Sequence, residues 1–440
     1  MIDRSLRIAM ISEHASPLAV LGGEDAGGQN VYVAELSRHL AALGHIVDVF
    51  TRRDDPNLPP VVEWLPGVRV VHLPAGPPEP LKKDLLFPEM PRFRDALLAF
   101  VRRDGAVYDV VHAHFWMSGW VACEVAPALE APVVQTFHAL GAIKRLHQGT
   151  ADTSPPERHD VEQRILNEAA AIVATCPAER DDLHAHYRTR PERVHIVPCG
   201  VDVERFRPLP RDEARASLGL PPHEPVVVYV GRVLPRKGID TVIRGVAELR
   251  RRTGFRARLL VVGGEREDVR PTDNLEIRRL LRVAVEEGVA EQVRFEGRRP
   301  QDDLFRYYSA ADAFATTPWY EPFGMTPLEA MACQTPVVAS RVGGHQFTVV
   351  DGATGYLVPP RDPAALAAVL ERVLRDPVLR DRMGAAGRAR TLAHFTWERV
   401  AGQVAEVYRS AVAVSSVRAL EWAATAPTPR KARDGRRRLP

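Results

Sequence analysis

The sequence is poor in cysteine and in lysine. The few cysteines argue against certain kinds of site, and the few lysines make a lysine within a motif informative. The four cysteines, Cys123, Cys176, Cys199 and Cys333, lie far apart without a Cys-x-x-Cys spacing, which argues against a disulfide framework and a zinc site. We therefore predict free thiols, a cytoplasmic location and no bound metal. Only five of the 59 basic residues are lysine, so a lysine inside a motif indicates a need for its compact ammonium group.

Long apolar runs and a large excess of charge are also missing. No segment approaches the roughly 18 consecutive apolar residues that span a bilayer, and the first residues lead directly into a predicted strand. We therefore expect neither an integral membrane segment nor a secretion signal. The formal net charge is only +3, and the excess lies at residues 430–438. This predicts no nucleic-acid-binding face on the folded body and a disordered tail at 417–440.

What the sequence does have is a regular alternation of strand and helix patterns. Two such series, separated by a turn- and proline-rich crossover at 198–210, predict an α/β fold with two doubly wound, Rossmann-like domains. The predicted division is a first domain at 1–205, a second at 206–395 and an amphipathic helix at 396–416 that precedes the tail. Strands are predicted at 6–11, 46–51, 68–73, 110–114, 133–137, 171–175 and 195–197, and then at 226–230, 259–262, 293–296, 313–316, 336–339 and 356–358.

Residues at the carboxyl ends of these strands are the candidates for a ligand site, because parallel sheets bind ligands there. A long, Gly-rich loop follows the first strand and ends in Gly27, Gly28 and Gln29 at the start of a helix. Backbone N–H groups and the helix dipole at such a terminus favour a diphosphate or a sugar. His138 lies just past another strand end. A Gly pair or a strand-end histidine alone is more often structural.

The second series contains a stretch with two carboxylates, Glu321 and Glu329, on either side of a Pro- and Gly-containing turn. The turn leads into a helix, with Thr326 as the predicted N-cap and Pro327 as the first helical residue. Spacing alone supports a ligand-holding turn and a plain connecting turn about equally. On the first interpretation, three backbone N–H groups without a predicted strand partner could face the ligand, those of Phe323, Gly324 and Met325.

Four separated motifs carry a resemblance to a known family. They are Glu-x7-Glu at 321–329, Gly-Arg-x4-Lys-Gly at 231–238, Asp-Ala-Gly-Gly-Gln-Asn at 25–30 and Gln-Thr-Phe-His at 135–138. Together they resemble the retaining GT-B glycosyltransferases, specifically the family that includes sucrose-phosphate synthase and the mycothiol glycosyltransferase. The resemblance covers most of the chain. It implies two Rossmann-like domains facing a central cleft, the first for an acceptor and the second for a nucleotide sugar.

The resemblance also implies roles for single residues. Arg232 and Lys237 would stabilise the departing diphosphate, Glu329 would bind the ribose hydroxyls, and Glu321 and His138 would contact the transferred sugar. The implied catalytic set is His138, Arg232, Lys237 and Glu321, and the implied donor-binding set is Gly28, Arg232, Lys237, Arg294, Phe295, Glu321, Phe323, Gly324, Met325 and Glu329. Acceptor contacts are implied for Gln29, Asn30, Lys83, Phe115 and Arg158. Retention would follow from front-face attack without metal or cofactor, since the nucleotide sugar is a substrate.

The acceptor stays open between two interpretations. Phe115 and Ala139 stand where an inositol-phosphate pocket is expected to offer Tyr and Thr hydroxyls. This favours a hexose phosphate or a neutral polyol as acceptor, as in sucrose-phosphate synthesis, with a UDP-sugar as donor. The alternative is N-acetylglucosaminyl transfer to an inositol phosphate, as in mycothiol synthesis. A homodimer is compatible with either.

Other classes with this architecture fit the residues less well. A pyridoxal-phosphate-dependent phosphorylase needs a lysine for its cofactor, and Lys237, the one lysine in the body of the second domain, is already assigned to phosphate. A nucleotide-sugar epimerase should carry a different acid and base. A catalytically silent nucleotide-sugar-binding protein would tolerate loss of Arg232, Lys237 or His138, and the presence of all three favours an enzyme.

Overall fold

The computed structural model describes residues 4–19, 27–269 and 274–425, with side chains described up to residue 415. Asp25 and Ala26 of the predicted loop motif and residues 426–440 of the predicted tail lie outside these ranges. Within them the chain forms two parallel sheets, each covered by helices on both faces. Within the same ranges, no helix is both long enough and apolar enough to cross a lipid bilayer.

The first sheet forms because short Val- and Ile-rich runs are buried on both of their faces. Its spatial order is β3-β4-β2-β1-β5-β6-β7-β8, and every strand pair is parallel except β3 with β4. The strands are β1 (Arg7–Ile11), β2 (Ile46–Arg52), β3 (Val61–Leu65), β4 (Val68–Leu73), β5 (Val110–His114), β6 (Val133–Thr136), β7 (Ala171–Ala174) and β8 (Val194–Ile196).

The second sheet is parallel throughout, with the spatial order β11-β10-β9-β12-β13-β14. In both sheets the first strand of the lobe lies in the middle, so the strand order reverses there and leaves a crevice at the carboxyl ends. The strands are β9 (Val226–Val230), β10 (Arg258–Val262), β11 (Val293–Gly297), β12 (Ala313–Thr316), β13 (Val337–Ser340) and β14 (Gly355–Val358).

Helices connect the strands of both sheets. Those of the first lobe are α1 (Gly28–Ala42), α2 (Met90–Asp104), α3 (Trp116–Leu129), α4 (Gly141–Gln148), α5 (Arg158–Glu168) and α6 (Pro177–His186). Those that follow are α7 (Arg211–Ser217), α8 (Ile239–Thr253), α9 (Leu275–Glu286), α10 (Leu304–Ala310), α11 (Met325–Ala332), α12 (His345–Thr348), α13 (Pro363–Arg375), α14 (Pro377–His394) and α15 (Trp397–Thr425).

The chain passes between the lobes twice, at neighbouring places. Val201 in the predicted crossover forms a β-bridge with Thr396, and its N–H donates to the carbonyl of Phe395 at 2.8 Å. Helix α15 then packs against α1 and strands β5 to β7 of the first lobe. Trp397 packs edge-on against Tyr32 with ring centroids 5.4 Å apart.

Helix α15 continues past its predicted end at residue 416 to Thr425. Residues 417–425 were assigned to the tail, but they are rich in Ala and contain neither Gly nor Pro, so nothing in them stops a helix. The sequence places its next proline at Pro427, outside the described residues.

Candidate active site

A cleft of about 370 Å³ opens between the carboxyl ends of the two sheets. Loops that follow β1, β5 and β6 line it from the first lobe, and loops that follow β9, β10, β11 and β12 line it from the second. Twelve residues predicted for the site lie on its wall, and four do not. Those on the wall are Gly28, Gln29, Lys83, Phe115, His138, Arg232, Lys237, Glu321, Phe323, Gly324, Met325 and Glu329.

The second-lobe half of the cleft is built around an ion pair between Lys237 and Glu321. The two loops that carry them are locked together, because Gly238 has φ 67° and a Cβ there would lie 1.9 Å from the carbonyl oxygen of Thr317. The Thr317 hydroxyl in turn donates to the Gly238 carbonyl at 2.7 Å. Only glycine allows this approach, so the Gly that follows the lysine positions the ion pair.

Burial and the ion pair together shift the pKa values of both partners. Burial lowers the pKa of Lys237 to about 8 even though Glu321 opposes the shift. Burial alone would raise the pKa of Glu321, but the ammonium of Lys237, helped by Arg236, outweighs it and lowers that pKa to about 2. Both side chains are therefore charged at neutral pH, and the ammonium group is held at the cleft wall.

The helix that follows Glu321 begins earlier than predicted. Gly324, with φ 85°, is the N-cap of α11 and Met325 is its first residue, whereas Thr326 was the predicted cap. Pro327 is then the third residue of the helix. A proline is tolerated there because the N–H groups of the first turn have no partner within the helix. Within the described part of the chain, three successive N–H groups find no acceptor and lie at the helix N-terminus on the cleft wall, those of Phe323, Gly324 and Met325.

Glu329 lies deeper in the second-lobe half. Its Oε2 accepts a hydrogen bond from the Tyr308 hydroxyl at 2.7 Å. Burial raises the pKa of Glu329 to about 7, although the Tyr308 bond and the charge of Arg205 oppose the shift. The free carboxylate oxygen can accept further hydrogen bonds, which suits a vicinal diol.

The first-lobe half begins at the N-terminus of α1, which nearly touches the second lobe. A Cβ on Gly27 would lie 3.6 Å from the Arg232 Nε, and a Cβ on Gly28 would lie 3.2 Å from the Met325 methyl group. Gln29 is held by bonds from its Nε2 to the Ser12 hydroxyl at 3.2 Å and to the His114 carbonyl at 3.3 Å. The N-terminus of α1 therefore packs against side chains of the second lobe.

His138 presents a neutral imidazole to the cleft. Burial lowers its pKa to about 3, with a smaller contribution from His14. Its Nε2 is hydrogen-bonded to the His114 Nδ1 at 3.0 Å, and its ring lies edge-on to Tyr32 at 5.0 Å. Behind it, His112 joins the Tyr408 hydroxyl of α15 at 2.6 Å. His138 can thus form hydrogen bonds with a sugar, and it does not act as a cation.

Two residues predicted to contact the acceptor have structural partners and do not line this cleft. Arg158 is buried and bonds Glu162 at 2.8 Å and the Ala139 carbonyl at 2.6 Å, so its guanidinium holds the turn after β6. Asn30 is also buried. Its Oδ1 accepts from the Gly27 N–H at 2.9 Å, which stabilises the start of α1. Lys83 and Phe115 do line the cleft, and the Lys83 ammonium lies 5.7 Å from the centre of the Phe115 ring.

Two residues predicted to contact the donor lie away from the cleft, within strand β11. Arg294 pairs with Glu296, and Phe295 packs against the core of the second lobe. Side chains within a strand point to the two faces of the sheet, and only residues past its carboxyl end reach the crevice. Arg298 and Arg299 follow the end of β11 and line the cleft. The family motifs do not include them, but the tendency of ligands to bind at strand ends would have indicated them.

The comparisons with known proteins agree with this architecture. Residues 210–390 match the family described as Glycosyl transferases group 1, and residues 26–205 match Glycosyltransferase Family 4. The chain is 42% identical over 410 residues to a D-inositol 3-phosphate glycosyltransferase of Catenulispora acidiphila, covering 92% of this chain and 96% of the relative. It is 38% identical over 413 residues to the protein of that name from Corynebacterium diphtheriae, covering 92% and 95%.

Solved structures show the same fold. The sucrose-phosphate synthase of Thermosynechococcus elongatus superposes with a TM-score of 0.85 at 39% identity, covering 93% of this chain and all of that one. HepE of Anabaena, solved in complex with UDP and glucose, superposes with a TM-score of 0.72 at 19% identity over 92% of this chain and all of that one, and it supports the fold alone. Both the motif resemblance and the predicted fold class are confirmed.

Proposed function

The chain belongs to the group 1 glycosyltransferases, and we propose that it transfers a hexosyl group from a UDP-sugar to a hexose phosphate with retention of configuration. The observation that carries this proposal is the division of one cleft between two kinds of group. Charged residues and helix N–H groups line the second-lobe half, whereas a glycine helix terminus, a neutral histidine and Lys83 line the first-lobe half.

On the donor side, the proposed reaction needs negative charge stabilised on the leaving diphosphate. Arg232 and Lys237 are fixed cations on the cleft wall, and the N–H groups at the start of α11 add the positive end of a helix dipole. Glu329 would accept hydrogen bonds from the ribose hydroxyls. Glu321, ionised and held by Lys237, would accept them from the transferred sugar.

Front-face attack accounts for retention without a protein nucleophile. In this scheme the acceptor hydroxyl attacks the anomeric carbon from the side of the leaving group, and a phosphate oxygen of the donor takes its proton. The protein then contributes position and charge. His138 suits this role because its neutral imidazole orients sugar hydroxyls without a proton transfer. The positive charge that the diphosphate needs comes from Arg232 and Lys237, so the scheme requires no metal ion.

The choice of a hexose phosphate as acceptor rests on three residues. Lys83 supplies a cation to the first-lobe half. Phe115 and Ala139 supply no hydroxyl, so they cannot replace the Tyr and Thr donors expected of an inositol-phosphate pocket. D-inositol 3-phosphate, which is the L enantiomer of inositol 1-phosphate, is the second candidate, because relatives 36% to 42% identical carry that acceptor in their names.

A substrate screen tests the proposal. UDP-, GDP- and ADP-sugars are incubated with fructose 6-phosphate, inositol 1-phosphate or a neutral cyclitol, and release of the nucleoside diphosphate is measured. We expect the highest kcat/KM with a UDP-sugar and fructose 6-phosphate. A tenfold or greater preference for inositol 1-phosphate would transfer the assignment to the second candidate, and failure of every acceptor would refute both.

Location and assembly remain part of the proposal. All four cysteines are free and buried, which is compatible with the reducing cytoplasm that we propose. In the unfolded protein, all four should react as thiols without added reductant. A homodimer stays a prediction, and light scattering over a range of protein concentrations would measure the mass of the particle in solution.

A further inference from the structure

His114 is a fully buried histidine at the carboxyl end of β5, directly behind His138. Its Nδ1 is hydrogen-bonded to the His138 Nε2 at 3.0 Å, and the two rings are stacked with centroids 5.2 Å apart. Within the described part of the chain, its other ring nitrogen, Nε2, is buried without a hydrogen-bond partner. The neighbouring His112 differs, because its nitrogens are bonded to the hydroxyls of Tyr408 at 2.6 Å and Thr136 at 2.9 Å.

The unpartnered nitrogen of His114 decides the direction of its bond to His138. Burial lowers the pKa of His114 well below its ordinary value and lowers that of His138 to about 3, so both rings are neutral. Each ring then holds one proton, and only one of the two rings donates across the bond. If His138 donated, the proton of His114 would lie on Nε2 as a buried N–H group without an acceptor. Such N–H groups are rarer in proteins than buried acceptors without a donor, which favours donation from the His114 Nδ1.

The ring nitrogen of His138 that remains available to a ligand is Nδ1. Among the described residues no hydrogen bond reaches this nitrogen, and the ring lines the cleft. The backbone of His138 has φ 60°, a left-handed conformation that a residue with a large side chain keeps only where its surroundings fix it. The ring of Tyr32 lies edge-on to the imidazole at 5.0 Å and packs against it. When His114 donates to Nε2, the single proton of His138 lies on Nδ1.

We propose that His114 is a positioning residue that keeps the proton of His138 on Nδ1, so that His138 donates a hydrogen bond to an oxygen of the transferred sugar. This rests on the proposed function and deepens it, because it assigns both the nitrogen that meets the sugar and the direction of the hydrogen bond. The identity of the proton-bearing nitrogen is set from behind the catalytic ring, by the bond that its other nitrogen makes.

Glu321 on the second-lobe wall makes this direction matter. Its ion pair with Lys237 keeps the carboxyl group ionised, and an ionised carboxylate only accepts hydrogen bonds. A sugar held between the two walls then donates to Glu321 and accepts from His138, which uses both capacities of its hydroxyls. With a lone pair on the His138 Nδ1, neither of these two side chains would donate to the sugar.

Three substitutions of His114 change the bond in different ways. His114→Asn keeps an amide N–H near the position of Nδ1 that can donate to His138. His114→Asp has nearly the same size and shape but an ionised carboxylate only accepts, so it requires a proton on the His138 Nε2. His114→Leu fills the space and removes the bond. The matched control is His72→Leu, because His72 is a buried strand histidine of the same sheet that bonds the Pro59 carbonyl at 2.7 Å and lies off the cleft wall.

The kinetic measurements are kcat and KM with a UDP-sugar and fructose 6-phosphate, and thermal unfolding checks that each variant is folded at the assay temperature. We expect His114→Asn to keep kcat within about threefold of the wild type. His114→Asp and His114→Leu should lower kcat at least tenfold, with the acceptor KM within twofold, because the lost bond is made to the transferred sugar. His72→Leu should keep kcat within twofold.

A second measurement observes the proton directly. Ring-nitrogen NMR of protein labelled with isotopic histidine, recorded without substrate, distinguishes a protonated ring nitrogen from one with a lone pair, and His138→Gln identifies the His138 signals by their loss. We expect the wild-type spectrum to show a proton on the His138 Nδ1 and a lone pair on Nε2. In His114→Asp, Nε2 should carry a proton.

Two outcomes overturn the inference. The first is a wild-type spectrum in which the His138 proton lies on Nε2. The second is a loss of kcat that is equal within twofold in His114→Asn and His114→Asp, or a kcat within twofold of the wild type in His114→Leu, since either would mean that the direction of the bond has no effect on transfer. A wild type that uses no acceptor refutes the proposed function instead, and the spectrum still tests the tautomer.

Discussion

The two halves of the cleft face the same space with different groups. In the second-lobe half the ionised side chains of Lys237 and Glu321 form an ion pair, and the carboxyl group of Glu329, whose pKa burial raises, lies beyond them. In the first-lobe half, burial keeps His138 neutral, and Gly27, Gly28, Tyr32 and Phe115 form part of the remaining wall. This difference indicates that the second half stabilises developing charge and the first half orients hydroxyls.

Removing a cation from the second-lobe half should have the largest effect. We predict that Lys237→Ala and Arg232→Ala each lower turnover at least a hundredfold with the fold intact, because loss of a preorganised charge typically costs about 3 kcal/mol at the barrier. Turnover is measured as nucleoside diphosphate release, and circular dichroism checks the fold. Lys82→Ala, at an exposed neighbour of Lys83, is the control. Turnover within threefold of the wild type in both variants would contradict the assignment.

The carboxyl group of Glu329 should make stability depend on pH. Burial raises its pKa to about 7 from its ordinary 4.5, so between these values the folded protein binds more protons than the unfolded chain and loses stability as pH rises. From pH 5 to pH 7 this group should cost about 2 kcal/mol.

Urea denaturation at pH 5, 6 and 7 measures this effect, with Glu329→Gln as the variant that cannot titrate. The free energy of unfolding of the wild type relative to the variant should fall with rising pH. Glu406→Gln, on the exposed side of α15, should leave the pH dependence unchanged. A wild-type-to-Glu329→Gln difference that is constant with pH would show that the carboxyl group titrates normally.

Adding hydroxyls to the first-lobe half should change the choice of acceptor. Each hydrogen bond to a charged group is worth about 1.5 to 3 kcal/mol, so Phe115→Tyr combined with Ala139→Thr should raise kcat/KM for inositol 1-phosphate about tenfold or more. The quantity to compare is its ratio to kcat/KM for fructose 6-phosphate. Phe305→Tyr, on α10 in the second lobe, is the control. An unchanged ratio in the double variant would mean that these two positions do not select the acceptor.

Metal removal should have the smallest effect. In the proposed scheme Arg232 and Lys237 supply the positive charge that the diphosphate needs, so we expect activity within twofold of the untreated enzyme after dialysis against EDTA. An assay with added Mg²⁺, Mn²⁺ or Ca²⁺ completes the test. Loss of activity that one divalent ion restores would show that the second-lobe half depends on a metal after all.

The sheets could be predicted well because buried parallel strands are short Val- and Ile-rich runs. Strand β3 was missed, since it pairs antiparallel at the edge, contains exposed Glu63 and follows two prolines. The start of α11 was misplaced because Thr is normally a better N-cap than Gly. In the structure Gly324 is the N-cap, because its positive φ closes the loop onto His345. A Cβ at position 324 would lie 2.7 Å from the His345 ring.

The candidate site was predictable where its residues are contiguous. Residues 231–238 and 321–329 contribute the ion pair and the helix terminus of the second-lobe half, and both were found as motifs. The first-lobe half draws on separate loops, so residue type alone could not show that Arg158 and Asn30 bond to neighbouring groups and lie off the cleft wall. His14 also lines the cleft and was not predicted, because its neighbours Glu13 and Ser118 meet only when β1 and α3 pack together.

The return of α15 to the first lobe has a consequence for biosynthesis. Val400, Val404 and Tyr408 are buried in this helix, which packs against α1, β5, β6 and β7 of the first lobe, and they are translated after the whole second lobe. At about 5 to 20 residues per second, the ribosome needs tens of seconds between β8 and α15. Throughout that interval the nascent first lobe exposes an apolar face, so its last packing step must follow synthesis of the second lobe.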